Sequence, residues 1–149
     1  KIDWGVILLY GGGFALGVMS FQTGLAEAVG RGLTGMLPLS GEFGLLVASV
    51  IVAVLISETT SNTASANMVV PVVIAIAQAQ GVDPLMPALG ATFAASLGFM
   101  LPVSTPCNAI VYGSGMIPLM KMVRYGIILD IVGAVVIISA VSILVPLIR

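Results

Sequence analysis

Apolar residues dominate this chain in long runs, and the breaks between the runs are compact polar knots rather than a regular alternation. A helix needs about 20 apolar residues to cross a hydrocarbon core of about 30 Å, so the run lengths carry the topology. Residues 4–19 form one run, with Gly11, Gly12, Gly13 and Gly17 suited to close packing or a bend within a membrane. Residues 21–36 carry Gln22, Glu27 and Arg31 among apolar positions and read as an amphipathic arm along the interface, followed by a loop over 38–42.

The next runs are short. Residues 43–58 make a 16-residue stretch, about 24 Å as a helix, that stops at Ser57-Glu58-Thr59-Thr60-Ser61-Asn62-Thr63 and falls short of crossing. Residues 64–77 are apolar again around Pro71 and end in a polar turn over 78–84, so 43–80 reads as a re-entrant hairpin with a polar tip. A third run, 85–101, meets a second knot, Pro102-Val103-Ser104-Thr105-Pro106-Cys107-Asn108, before a short continuation to 118. That pattern predicts a helix broken in mid-membrane over 85–118. After a loop marked by Lys121 and Arg124, residues 125–148 form the one uninterrupted span, with Asp130 near its start and expected close to the interface.

Composition turns this pattern into a class. Hydrophobic residues make up 59% of the 149 and charged residues only 7%, with a mean hydropathy of +1.21. Soluble domains carry about 25% charged residues. The surface must therefore face lipid or other apolar helices, and the expected fold class is an all-α integral membrane protein, one membrane domain or part of one. A net charge of −1 without a basic cluster argues against nucleic-acid binding. The absence of histidine removes Ser/His and Cys/His catalysis and histidine metal sites, and the single Cys107 cannot form an internal disulfide. Ser114 between Gly113 and Gly115 lacks any base to activate it, and Gly11 to Gly13 lack the spacing and context of a nucleotide loop, so the reading is not an enzyme. The chain opens without a signal peptide or start methionine and reads as a piece of something longer. The positive-inside bias puts the Lys121/Arg124 loop in the cytoplasm and the C-terminus outside, in a multi-pass protein of the plasma (inner) membrane.

The knots suggest a site. Irregular backbone at membrane depth survives only where it lines a polar cavity, and discontinuous helices of secondary transporters use such breaks to hold anions on helix N-termini and cations on carbonyls. Ser61 or Asn62 can cap the arm beginning near Thr63, while the carbonyls of residues 57–60 and the Asn62 side-chain oxygen suit a hard cation. In the second knot Thr105 is a good N-cap with Pro106 in the first helical position, and the Ser104 carbonyl can complete a cation site. The bland alternative is that both knots are helix-packing polar contacts, a common use of Ser, Thr and Asn in membranes. Glu58 is open between a structural and an ion-coupling role, and a channel-forming or structural subunit remains a third reading of the same knots.

At these knots the chain resembles the divalent-anion/sodium symporter family. The matching residues are Ser61-Asn62-Thr63 with Ala64-Ser65-Ala66 and Pro71, and Leu101-Pro102-Val103-Ser104-Thr105-Pro106-Cys107-Asn108-Ala109-Ile110-Val111, with Trp4-Gly5-Val6 and Thr23-Gly24-Leu25 at the start. The resemblance implies two inverted repeats, of which this chain holds one as the C-terminal half. It implies substrate contacts from Ser61, Asn62, Thr63, Thr105 and Pro106, and a sodium site from Ser57, Thr60, Asn62 and Ser104. It further implies sodium-coupled transport of small di- or tricarboxylates such as succinate, or sodium-independent exchange of them. The partners it implies are the other half of the carrier and a second copy in a homodimer. Residues 1–42 would belong to a scaffold and 43–149 to a moving transport region. Cys107 departs from the family pattern, standing where many relatives have a second proline.

Overall fold

The structure, a computed structural model, describes residues 19, 22–24 and 41–148. The expected first helix and interfacial arm fall outside the described residues except for Met19, Gln22, Thr23 and Gly24. Among the described residues the regular structure is all helix: α1 (Gly41–Thr59), α2 (Asn62–Ala79), α3 (Leu85–Ala94), α4 (Pro106–Gly113) and α5 (Leu119–Ile148). Three of these, α1, α2 and α5, are long and apolar enough to cross a membrane.

A two-residue connection, Thr60 and Ser61, turns α1 back into α2, so the two pack as an antiparallel pair. The helix α3 packs against both, and α5 lies across α1 and α3. The core holds Leu46, Val50, Ala53, Val69, Val73, Ala91, Ala94 and Val141. Small and polar side chains do much of the joining, as expected where lipid offers no hydrophobic drive for helix association. The Ser49 hydroxyl reaches the Pro87 carbonyl of α3 at 3.0 Å, and the Ser65 hydroxyl reaches the Ala53 carbonyl of α1 at 2.9 Å. Pro71 sits inside α2 and is absorbed without ending it.

Three expectations are corrected. The first arm is 19 residues rather than 16, about 28 Å, because the helix starts at Gly41 and runs through Glu58 to Thr59. Glu58 does not stop it, since its carboxylate is satisfied by distant backbone, as described below. The run from Leu85 ends at Ala94, not at the Pro102 knot: Ser96 and Leu97 make short bonds back to Phe93 and Ala94, and the chain is irregular over 95–105 before α4. Last, Lys121 and Arg124 are not in a loop but in the first two turns of α5, which starts right after Pro118 and runs 30 residues. Both are good helix formers, and Pro118 is a natural boundary.

The irregular segment lies directly on α5. A Cβ at Gly126 would fall 2.5 Å from the Met100 Cα and 2.6 Å from the Phe99 carbonyl carbon, and one at Gly133 would fall 2.8 Å from a Leu97 methyl. Backbone cannot yield as a flexible side chain can. Gly126→Ala is therefore expected to destabilise by about 1–3 kcal/mol, read as a lowered melting temperature of the detergent-solubilised protein, whereas Ala at the open Gly113 is expected to be milder.

Candidate functional site

The two knots expected from sequence are brought together at one end of the α1/α2 pair. Ser61 is the N-cap of α2: its backbone is extended and its hydroxyl accepts from the Ala64 N–H at 3.2 Å. Helix geometry leaves the N–H groups of Asn62 and Thr63 without intrahelical partners. Thr105 caps α4 in the same way, accepting from the Asn108 N–H at 3.2 Å with Pro106 behind it, which leaves the Cys107 N–H as the orphan. Each knot thus presents a helix N-terminus, with the positive end of its dipole, beside the same stretch of irregular backbone.

That stretch supplies oxygens. Ser57, fully buried, has its hydroxyl 2.9 Å from the Asn62 Oδ1 and 2.7 Å from the Ala95 carbonyl. A hydroxyl has one proton, so these three oxygens share a single hydrogen and one acceptor is always left over. The Asn62 amide donates to the Ser96 carbonyl at 3.2 Å. Buried Ser104 donates to the Gly98 carbonyl at 2.9 Å, and the Asn108 amide donates to the carbonyls of Gly98 at 2.8 Å and Leu101 at 3.1 Å. A Cβ on Gly98 would collide with the Ser104 hydroxyl and stand 3.3 Å from Asn62 Oδ1, so Asn62, Gly98 and Ser104 converge on one point.

Of the residues named from sequence, Ser57, Asn62 and Ser104 therefore meet in one cluster. The Thr60 hydroxyl donates back to the Ile56 carbonyl at 2.8 Å, which uses its proton and leaves its oxygen lone pairs and its backbone carbonyl for a ligand. Ser61 and Thr105 are committed as caps, Thr63 is half-buried in the first turn of α2, and Pro106 is exposed at the start of α4. Sequence reasoning missed the carbonyls of Ala95, Ser96 and Gly98, which lie outside both knots, and the bridging role of Asn108. The signal for the latter was Asn108 itself, two residues past Pro106, in a position to cap an unwound backbone.

Glu58 is the clamp of the site. Buried at the end of α1, it accepts from the Met100 N–H at 2.9 Å and the Leu101 N–H at 3.0 Å, one on each carboxylate oxygen. Asp130, expected near the interface, is buried against the neighbouring segments, eleven residues into α5. The helix α5 begins six residues earlier than the sequence pattern suggests.

Gly98→Ala should push the Ser104 hydroxyl off its carbonyl and narrow the convergence point. The expected result is a loss of about 1–3 kcal/mol of stability, read as a lowered melting temperature, with insertion retained.

Apolar helices of crossing length around an irregular, acceptor-rich polar cluster define a multi-pass α-helical membrane protein. A family model described as the sodium:sulfate symporter transmembrane region matches residues 1–148, and the chain belongs to that family, as its resemblance to the divalent-anion/sodium symporters led us to expect. Solute carrier family 13 member 2 of Homo sapiens is 39% identical over 142 residues, covering 95% of this chain and 24% of the relative. The sodium-dependent dicarboxylate transporter SdcS of Staphylococcus saprophyticus is 40% identical over 145 residues, covering 97% and 28%. An uncharacterized transporter of Haemophilus influenzae is 42% identical over 139 residues, covering 91% and 29%. The chain thus spans about a quarter of the length of these curated relatives, a smaller share than the half expected from sequence.

Proposed function

We propose that this chain carries one of the two halves of a substrate site in a carrier that moves small di- or tricarboxylate anions together with sodium. The observation that carries the reading is the proton-poor oxygen cluster of Ser57, Asn62 and Ala95 lying beside two capped helix N-termini. Spare acceptor oxygens suit a hard cation, and orphan N–H groups suit a carboxylate. Held side by side, each ligand offsets the charge of the other, which makes binding of one depend on the other. Sodium would be held by Ser57, Thr60, Asn62 and Ser104 with the neighbouring carbonyls, and the anion by Ser61, Asn62, Thr63, Thr105 and Pro106. That the SdcS relatives are named sodium-dependent dicarboxylate transporters supports the same substrate class.

In this reading 43–80 is a re-entrant hairpin, 85–118 a discontinuous transmembrane helix, and the rest of the carrier supplies a second tip facing this one. Residues 1–42 belong to the scaffold of a homodimer in the plasma (inner) membrane, with the C-terminus outside. The test is uptake of labelled succinate by the complete carrier, with choline replacing sodium. Uptake that collapses without sodium supports the proposal; uptake that persists and needs a counter-anion inside supports exchange without sodium; ohmic conductance without saturation contradicts a carrier.

A further inference from the structure

One face of α5 is bare, and its residues change character in a set order. In steps of three and four along the helix, Lys121, Arg124, Tyr125, Ile128, Val132 and Val135 fall in one stripe, and all six are exposed. The opposite face, with Gly126, Asp130 and Val141, is the buried one. The stripe thus begins with two cations, passes an aromatic hydroxyl and continues as aliphatic carbon. Residues 127–148 cover about 33 Å as a helix, enough to fill a hydrocarbon core of about 30 Å, and their one acidic residue before the last position is the buried Asp130. With that stretch in the core, Lys121 and Arg124 stand at headgroup depth and Tyr125 at the boundary where amphipathic rings collect. From Tyr125 to Val135 is about 15 Å along the axis, the hydrocarbon depth of one leaflet. The charge is one-sided as well, since no Asp or Glu lies between Asp83 and Asp130.

We propose that this stripe seats an anionic phospholipid, with its phosphate between Lys121 and Arg124, Tyr125 at the level of the ester groups, and an acyl chain along Ile128, Val132 and Val135. Only an amphiphile uses both halves of the stripe. Two exposed cationic side chains hold a soluble anion weakly in water, but a lipid arrives with its phosphate already at their depth and its chain against the aliphatic residues below. The Arg124 guanidinium can fork onto two phosphate oxygens while Lys121 adds a compact charge. A zwitterionic lipid brings a cation of its own, which the same pair repels. By the positive-inside bias the seat lies in the cytoplasmic leaflet, where anionic lipids give the surface its negative potential. A headgroup held there sets the depth of α5, and with it the backbone of Phe99 and Met100 that rests on Gly126. The inference goes beyond the transport reading and does not rest on which anion is carried.

The experiment is native mass spectrometry of the complete protein in detergent, titrated with phosphatidylglycerol or with phosphatidylcholine of the same chains. A basic residue beside an anionic lipid surface is worth about fivefold in affinity, so wild type is expected to prefer phosphatidylglycerol by about 20- to 30-fold. Changing Lys121→Gln and Arg124→Gln together should abolish the preference, whereas exchanging the pair, Lys121→Arg with Arg124→Lys, should keep it within about fivefold. Glycerol 3-phosphate, the headgroup chemistry without chains, should not displace the lipid at equal concentration. Equal binding of the two lipids by wild type overturns the proposal without recourse to any variant. A preference retained in the double Gln variant also overturns it, and shows the two side chains to be covered by another segment of the carrier. Displacement by glycerol 3-phosphate overturns it too, by reducing the seat to a soluble-anion site. Uptake is not read in this experiment, so a failure of the dicarboxylate reading leaves its outcome unchanged.

Discussion

Replacing Asn62 with alanine in the complete carrier is expected to lower sodium-dependent dicarboxylate uptake by on the order of 100-fold while leaving membrane insertion intact. One side chain here has two jobs. Its Oδ1 is among the three oxygens that share the Ser57 proton, and its amide holds the Ser96 carbonyl of the irregular segment. Alanine removes an acceptor from the oxygen cluster proposed to hold sodium and unties the segment that provides the others, at about 1–3 kcal/mol for each contact. The helix itself should survive, because Ser61 and not Asn62 caps α2. Uptake measured across sodium concentrations separates the two jobs: a shift in half-saturating sodium reports the lost oxygen, and a fall in maximal rate reports the lost tie. Wild-type kinetics in the variant would remove Asn62 from the site.

The second large effect is expected at Glu58, and it is on folding. Glu58→Ala leaves the Met100 and Leu101 N–H groups without acceptors, at about 1–3 kcal/mol each, against a total stability of typically about 5–15 kcal/mol. The carrier is expected to be lost from the membrane fraction or to elute as aggregate in size-exclusion chromatography. Glu58→Gln can still accept one N–H through its amide oxygen but turns an NH₂ toward the other, so intermediate stability is expected. Equal stability of the E58A variant and wild type would show that the clamp is dispensable.

What could be read from the sequence was local chemistry. Thr105 with Pro106 after it, and Ser61 or Asn62 at the head of an apolar run, announce helix starts through their own side chains, and the caps are Thr105 and Ser61. The polar cluster was legible for the same reason, since Ser57, Asn62 and Ser104 fall inside conspicuous knots. What was not legible depends on partners distant in sequence. Nothing near Ala94 says that the helix must stop there. It stops because Glu58, 42 residues before Met100, and Asn108, ten residues after Gly98, supply the hydrogen bonds that helix turns would have made. The burial of Asp130 was hidden in the same way, since it comes with Gly126 letting backbone pass, a contact visible only once α5 and the irregular segment are packed.

These contacts also say why the site is built from backbone. The cluster at the tips contains no basic residue among the described positions, so in the proposed function an anion would be attracted by orphan N–H groups and a cation by surplus oxygens. Such a site would be nearly neutral when empty and would favour its two ligands as a pair.

The most direct test is the structure of the complete carrier in lipid with sodium and succinate bound. Ion density against Ser57, Asn62 and the Ala95 and Gly98 carbonyls, with a succinate carboxylate facing the N–H groups of Thr63 and Cys107 at mid-membrane depth, is the predicted result. An anion held instead by charged side chains away from Asn62 and Thr105, or those two residues lying in bulk water beyond the headgroups, would contradict it.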